Sequence, residues 1–448
     1  MSTAVDGPEQ APVPGDPVYG SPVGLWRGVE RWRPPGGLFA GRVFTSAVRG
    51  PWLTSVFAVV LLVGLPVLAV TGLLSYAAYE PRFGNAFPAD PGVLRLPYFA
   101  WPVSPVGLYR WNQGVHVGLG LALVPVVLAK LWSVVPKLFA WPPARSVAQL
   151  LERLSLLLLV GSILFELVTG ILNIQYWYVF RFDFYTAHYF GAWVFLGAFT
   201  AHVVLKLPVM VGALRSRSLR VELATSRADT VVEPPDVHGL VPVAPGPVTI
   251  SRRGVLALVA GGSVAVTAVS LGQTVGWRGS AVLSARGQSY GSGPNDFQVN
   301  RTARAAQVTP EVTGATWRLV VTGGPMAVSL DRAQLLAMRQ HTVRLPIACV
   351  EGWSSVQSWT GVRLADLVAL TGLTGQVHSG TVRSLEKAGA FGQAVLSGAQ
   401  LHTPDALLAL QVNGTDLSPD HGYPARVIIP AAPGVHTTKW VRQIELHP

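Results

Sequence analysis

The chain has 448 residues, of which 50% are hydrophobic and only 13% charged, with a mean hydropathy of +0.40. A soluble globular chain carries about 25% charged residues, so a wholly water-soluble protein and a disordered one are both excluded, and a single cysteine excludes an intramolecular disulfide framework. The net charge of +11 leaves two readings: a nucleic-acid binder, or a membrane protein with basic loops on one side.

Residues 1–50 are rich in Pro, Gly and Arg without a sustained apolar period and are expected as a disordered cytoplasmic arm. They show no apolar core of a cleavable leader. Four apolar runs follow: Trp52–Tyr76, Trp111–Val135, Leu150–Ile174 and Thr186–Leu214. Each reaches the roughly 20 residues that a helix needs to cross a hydrocarbon core, so a four-helix membrane domain is expected over 51–215. The segment 216–250 contains Pro234, Pro235, Pro242, Pro245 and Pro247 and reads as an extended cytoplasmic linker. A shorter run, Gly254–Gly276, makes a fifth span inside an anchor expected over 251–277. From 278 to 448 no spanning run occurs. Short β-like runs at Trp317–Thr322, Val343–Val350 and Arg426–Ile429 alternate there with turns and brief helical patterns, which predicts an α+β domain.

The basic residues give an orientation. Arg27, Arg31, Arg33, Arg42 and Arg49 precede the first span, Lys130, Lys137, Arg145 and Arg153 flank the second connection, and Lys206, Arg215, Arg217, Arg220, Arg227, Arg252 and Arg253 flank the fourth. The first and third connections hold only Arg82, Arg95, Arg110 and Arg181. The positive-inside rule then puts the N-terminus in the cytoplasm and, after five spans, the C-terminal domain outside a cell membrane. The nucleic-acid reading fails because the basic residues sit at the ends of the apolar runs. The fifth span opens Ser251-Arg252-Arg253-Gly254-Val255-Leu256, which resembles a twin-arginine export signal kept as an anchor; two ordinary interfacial arginines are the alternative.

Cys349 ends the strand-like run from Val343 and is followed by Val350-Glu351-Gly352-Trp353-Ser354 and then Trp359-Thr360-Gly361-Val362. A thiolate is a soft ligand suited to a metal, although a lone Cys is more often inert core. The wider pattern resembles the molybdenum-binding segment of the sulfite oxidase fold, and within it the periplasmic methionine sulfoxide reductase catalytic subunit, over roughly 285–448. The resemblance implies that Cys349 is the protein sulfur ligand to molybdenum held by one molybdopterin. It also implies cofactor contacts from Asn295, Gln298, Val299, Asn300 and Arg301, from His421 and Arg426 in His421-Gly422-Tyr423-Pro424-Ala425-Arg426, and from Thr437, Thr438 and Lys439 in the segment opening at Gly434. Ser384 lies where the reductases have a cofactor-contacting Thr. A doubly charged phosphate needs a fixed cation such as Arg426 or Lys439 together with backbone donors in a tight turn. The chain departs from the pattern in three places. No Arg follows Cys349 as in sulfite oxidases proper, His436 replaces a Lys of the reductases, and His421 stands where they have Asn.

Three histidines lie in the apolar half: His116, His188 and His202. Ionisable groups inside a span are functional candidates, and neutral imidazoles on facing helices suit heme iron. The region resembles the cytochrome b-type membrane subunits of periplasmic oxidoreductases, which implies heme b between His116 and His188. His202 lies fourteen residues after His188, about 21 Å along the helix, and is a candidate for a second heme, which would need Lys130 or another ligand, not evident in the sequence, opposite it. Interfacial anchoring of these histidines among the many Trp and Tyr is the plain alternative. Glu166 is a candidate proton carrier, with helix packing as the alternative.

The expected whole is a multi-domain fusion: an all-α transmembrane four-helix cytochrome b-like bundle, a fifth anchoring span, and an α+β sulfite oxidase-type molybdopterin domain. Its expected activity is oxo-atom transfer on a small S- or N-oxide-type substrate, with membrane quinone and the lipid bilayer as partners and no nucleic acid. A sulfite-oxidising dehydrogenase and a non-enzymatic electron-transfer membrane protein are the alternatives.

Overall fold

The computed structural model describes residues 44–138, 147–175, 177–236, 239–272, 293–373, 377–387 and 391–448. Most of the arm expected over 1–50, and the end of the anchor expected at 277, lie outside the described residues.

The four long apolar runs form α1 (Pro51–Ala78), α2 (Leu108–Leu138), α3 (Val147–Ile174) and α4 (Phe184–Arg215). A short α5 (Leu219–Ala224) leads to the fifth apolar helix, α6 (Arg252–Gly272). All but α5 are long and apolar enough to cross a membrane. Large apolar side chains such as Val63, Leu157 and Val204 are exposed on them, and helices apolar on every side need an apolar medium. Pro66 lies inside α1 and Pro208 inside α4, a placement that spanning helices tolerate.

Contacts divide the chain into two compact units. The first takes in the described part of 1–55 with 130–161 and 197–253. Its centre is an ion cluster around Arg252, whose guanidinium is fully buried. Arg252 pairs with Glu222 at 3.2 Å and Glu233 at 3.6 Å and donates to the Val231 carbonyl. Arg217 also pairs with Glu222, and the Trp52 N–H donates to Glu233. The segment 216–250, expected as an extended connector, is pinned at Glu222, Thr230, Glu233 and Val241, which are buried, while most of its other described residues are exposed or half-buried. Buried carboxylates need partners, and Arg252 and Arg217 hold this chain segment in place.

The second unit takes in 56–129, 162–196 and the described part of 254–448. Among the described residues its C-terminal part contains ten strands and four short α-helices. The strands are β1 (Leu319–Thr322), β2 (Val328–Leu330), β3 (His341–Ala348), β4 (Ser354–Arg363), β5 (Ser379–Ser384), β6 (Gln393–Ser397), β7 (Leu407–Val412), β8 (Thr415–Asp416), β9 (Arg426–Ile428) and β10 (Val441–His447). The helices are α7 (Pro310–Thr313), α8 (Arg332–Ala337), α9 (Leu364–Leu370) and α10 (Gly398–His402). One five-stranded sheet runs β2-β1-β10-β5-β6, and the other runs β3-β4-β7-β8 with β9 also on β7. Among the described residues only the β1–β10 pair is parallel. The α+β expectation for this region holds, and each β-like run of the sequence falls on a strand.

Val321, Val382, Leu396 and Ile444 of the first sheet share one core with Val362, Leu408, Leu410 and Val427 of the second. Leu407 and Ala409, alternating with Leu408 and Leu410 along β7, join Leu345, Ile347, Trp359 and Cys349 in another core. Period-two alternation thus buries β7 on both faces, and each Leu so buried contributes about 1.5–3 kcal/mol. Residues of the helical segment in the same unit pack on this domain. Tyr76, Tyr79, Trp101, Tyr109 and Tyr189 cluster with Ala348 and Val435. Asn85 exchanges two hydrogen bonds with the Val395 backbone, and Trp101 Nε1 donates to the Ala431 carbonyl at 2.8 Å.

Candidate functional site

Strands β3 and β4 pair from His341/Gly361 to Ala348/Ser354, so residues 349–353 form the turn at the end of a long hairpin. The Cys349 N–H donates to the Trp353 carbonyl and the Gly352 N–H to the Cys349 carbonyl, both at 2.9 Å. Gly352 has φ +81°, a conformation that a residue with a Cβ adopts only at a cost. Cys349 is buried, with its Sγ 3.4 Å from a Glu351 carboxylate oxygen that also accepts from Trp353 Nε1.

Cys349 lines a pocket together with Asn300, Arg301, Arg426, Thr437, Thr438 and Lys439. These seven come from four separate stretches of sequence, and the fold brings them together. Arg426 opens β9, where its Nη atoms donate to the His421 carbonyl and the Thr437 hydroxyl, while its buried Nε has no partner. Lys439 Nζ donates to the Arg301 and Asp420 carbonyls. The buried Thr438 hydroxyl is also without a partner. Among the described residues neither Arg426 nor Lys439 forms an ion pair. Burial pushes Arg426 down to about 10, and burial followed by the charge of Arg426 pushes Lys439 well below the usual lysine range. Two buried cations with spare donors are an unstable arrangement unless an anion completes it.

The other expected contacts lie behind this wall. Ser384 donates to the Lys439 carbonyl and accepts from the Glu386 N–H, so it braces the backbone. Asn295 ties to Asp416 and Ser418. His421 stacks on Phe297 at 3.7 Å and meets the Asn295 carbonyl through Nε2. Gln298 and Val299 are half-buried and do not line the pocket. Burial first, then Arg426 and Lys439, push His421 down to about 3, and burial pushes His436 down to about 4. Sequence reasoning missed Glu386 and Phe391, which also line the pocket. Glu386 pairs with Arg301 at 2.8 Å, and burial raises its carboxyl. An isolated Glu or Phe in sequence has no pattern that would have marked it.

A second cavity of the same unit lies among α1–α4. Its volume is about 270 Å³, near the lower end of the roughly 300–1,000 Å³ of pockets for small ligands. His116 and His188 line it with ring centres 6.3 Å apart and planes at 79°. A metal held between two imidazole nitrogens at about 2 Å each puts the ring centres roughly 6 Å apart. Both Nδ1 atoms are tied back. His116 donates to the Leu68 carbonyl at 3.0 Å, and His188 meets Glu166 at 2.9 Å. That bonding leaves each Nε2 lone pair free for a metal, with Glu166 as the orienting carboxylate. Gly72 adds room, since a Cβ there would lie 3.1 Å from His116 Cε1. The two histidines could hold a metal-bearing cofactor between them. His202 does not line this cavity and falls in the first unit, and Lys130, expected opposite it, donates to the Thr54 carbonyl.

Residues 306–448 match the family model described as oxidoreductase molybdopterin binding domain. The Asn295–Thr302 segment precedes this match. An NADH nitrate reductase from Ulva prolifera is 35% identical over 169 residues, covering 31% of this chain and 19% of the relative. A sulfite oxidase from Gallus gallus is 29% identical over 167 residues, covering 31% and 36%, and the mitochondrial sulfite oxidase of Homo sapiens is 29% identical over 166 residues, covering 31% and 30%. The chain thus spans between about a fifth and about a third of the length of these relatives. The crystal structure of the sulfane dehydrogenase SoxCD from Paracoccus pantotrophus aligns over 29% of this chain and 38% of that one, at 21% identity and TM-score 0.27. The Cys349 pocket, with its buried cations and soft sulfur, is of the chemical kind that the matched family's cofactor requires. Residues 306–448 are therefore an oxidoreductase molybdopterin-binding domain, an enzyme domain, of the sulfite oxidase and nitrate reductase type.

Proposed function

We propose that the chain is a membrane-bound molybdopterin-dependent oxidoreductase that transfers an oxygen atom to or from a small S- or N-oxide-type substrate and exchanges the electrons with membrane quinone through one b-type heme. The observation that carries this reading is the pair of cavities in one compact unit: the Cys349 pocket with its unpaired buried cations, and the His116–His188 cavity. The departures from the sulfite oxidase pattern after Cys349 favour an oxide substrate of the methionine sulfoxide reductase kind. The sulfite oxidases among the relatives keep sulfite as the second reading.

When bound, molybdopterin supplies metal chemistry that exchanges an oxygen atom and two electrons with a substrate. The chain's own residues prepare for it. Cys349 would hold the metal through its thiolate, a soft donor. Arg426, Lys439 and the Thr438 hydroxyl would hold the phosphate. Ser384 and Asn295 fix the backbone behind them, and Glu386 anchors Arg301 at the rim. Phe391 and Val435 add apolar lining to the same pocket. His116 and His188 would hold the heme iron, with Glu166 orienting His188.

The orientation belongs to the same proposal: N-terminus cytoplasmic, C-terminal domain outside, and Arg252–Arg253 as an export signal. Supporting it, the loop after α1 bonds to the C-terminal domain through Asn85 and Trp101, whereas the linker after α4 bonds to Trp52 and Arg252.

Metal and heme analysis of the purified protein with Cys349→Ser and His188→Ala tests the reading. A serine hydroxyl is a far weaker acid and a harder donor than a thiol. Cys349→Ser should cost more than the roughly 10–100-fold in activity that changes around a metal's ligands cost, with heme absorbance intact. His188→Ala should lose heme and quinone-linked turnover while keeping activity with an artificial dye. Parent protein that carries no molybdenum would overturn the proposal.

A further inference from the structure

The two cavities share a wall. Val350 and Gly352, one and three residues beyond Cys349, line the cavity that holds His116 and His188. Gln113 lines it too and is buried. Gln113 precedes His116 by three residues on α2, which puts the two on one helix face, about 4.5 Å apart along the axis. Its Nε2 donates to the Cys349 carbonyl. From α3, Asn173 Nδ2 donates to the next carbonyl, that of Val350, at 3.3 Å. Gly352 lies so close to the helices that a Cβ there would come 2.9 Å from Ile174 and 3.1 Å from Val117.

A buried amide among apolar side chains is costly unless its hydrogen bonds are made. Gln113 and Asn173 direct theirs at two successive carbonyls of one turn, the turn that presents the sulfur. Electron tunnelling weakens exponentially with distance and weakens fastest across empty space. The turn is pressed onto two helices and bonded to them, so hydrogen bonds and van der Waals contacts lead from the Cys349 and Val350 backbone to α2 and α3.

We infer that the Cys349–Gly352 turn and Gln113 form the electron bridge between molybdenum and heme, with Gln113 as the positioning residue that fixes the gap. The inference rests on the proposed cofactor pair. Each transfer oxidises molybdenum by one electron and reduces ferric to ferrous heme iron. Two transfers carry the two electrons of one oxygen-atom transfer, and a quinone takes them up with two protons from water. Run in reverse from a quinol, the same route reduces an oxide substrate. No soluble carrier intervenes.

The test uses the full chain in detergent with Gln113→Met, which keeps length and bulk but cannot donate. Flash reduction followed at the heme absorbance gives the intramolecular rate, recognised by its independence of protein concentration. The rate should fall by about 10- to 100-fold, the scale on which lost supporting contacts act at metal sites, at unchanged heme and molybdenum content. An unchanged rate with both cofactors present overturns the bridge and leaves the proposed function standing. Absence of heme from the parent protein overturns the proposed function instead. A second measurement needs no variant at Gln113: in the parent protein, ferric heme should speed the relaxation of the molybdenum(V) paramagnetic resonance signal relative to heme-free His188→Ala. Equal relaxation in the two proteins would also overturn the inference.

Discussion

Arg426 and Lys439 hold positive charge inside the domain without a carboxylate between them, and this sets two opposing demands on the same residues. Cofactor binding favours the charge, whereas the empty fold is strained by it. Arg426→Met should lower molybdopterin content and at the same time raise the thermal midpoint of cofactor-free protein, by about 1 kcal/mol or more in stability, because apolar side chains of similar volume replace buried charge at a gain. A midpoint that falls in the cofactor-free variant would show that Arg426 is structural. His421 and His436 give a pH prediction of definite sign. Their folded values, about 3 and about 4, lie below the ordinary histidine value of about 6.5. Between those limits the unfolded chain binds more protons than the folded one, so stability falls as pH drops from about 6.5 toward 4 and is complete above 6.5. His421→Asn should flatten that fall in urea titrations across the same range, and an unflattened slope would show that His421 does not contribute to it. Cys349 and Arg426 could be picked out from sequence because each sits in a motif with its own spacing. Gln113, Asn173 and Glu386 could not, because an amide or carboxylate gains its meaning only from the carbonyl or cation that the fold brings to it.

Among the elements, the apolar helices were the most legible and the linker the least. The run Trp111–Val135 widens to Leu108–Leu138 and Thr186–Leu214 to Phe184–Arg215, shifts typical of helix ends. Proline content is read locally, whereas what anchors the linker is an ion cluster assembled from Arg217, Glu222, Glu233 and Arg252, spread over more than thirty residues. This changes how the paired arginines are tested. Arg252 forks to two carboxylates and a carbonyl, a geometry that the point charge of a lysine does not reproduce. Arg252→Lys should therefore open the linker to proteolysis between Arg217 and Glu233, and any export defect it causes mixes two effects. Arg253 is exposed, with one long contact to the Leu223 carbonyl at 3.4 Å. Arg253→Lys should leave the linker protected, so a loss of the exported domain in that variant alone reports on receptor reading of the pair. Normal export yield in Arg253→Lys would argue for two ordinary interfacial arginines.

At the scale of the whole molecule the proposed function turns on how many hemes would accompany one molybdenum, and the geometry separates the candidates that helical spacing alone made equal. Fourteen residues separate His188 from His202, the interval expected of two stacked sites on one helix. Spacing along one helix says nothing about what stands across from it. Opposite His188 stands His116, at the ring separation of two ligands on one metal, with both Nδ1 atoms held from behind. The residue at the matching interval beyond His116 is Lys130, and its ammonium is engaged with the Thr54 carbonyl. His202 itself lies outside the lining of the cavity where the other two histidines meet. A heme held by two histidines would need one on each face, and among the described residues His116 and His188 lie together in one cavity as that would require. Purified protein should then contain one heme per molybdenum, by alkaline pyridine spectra against elemental analysis. His116→Ala and His188→Ala should each abolish the heme spectrum, since a site with one ligand left holds the macrocycle poorly, while His202→Ala should leave it at full intensity. Two hemes per molybdenum, or loss of half the absorbance in His202→Ala, would show that a second heme binds around His202 in a conformation other than this one.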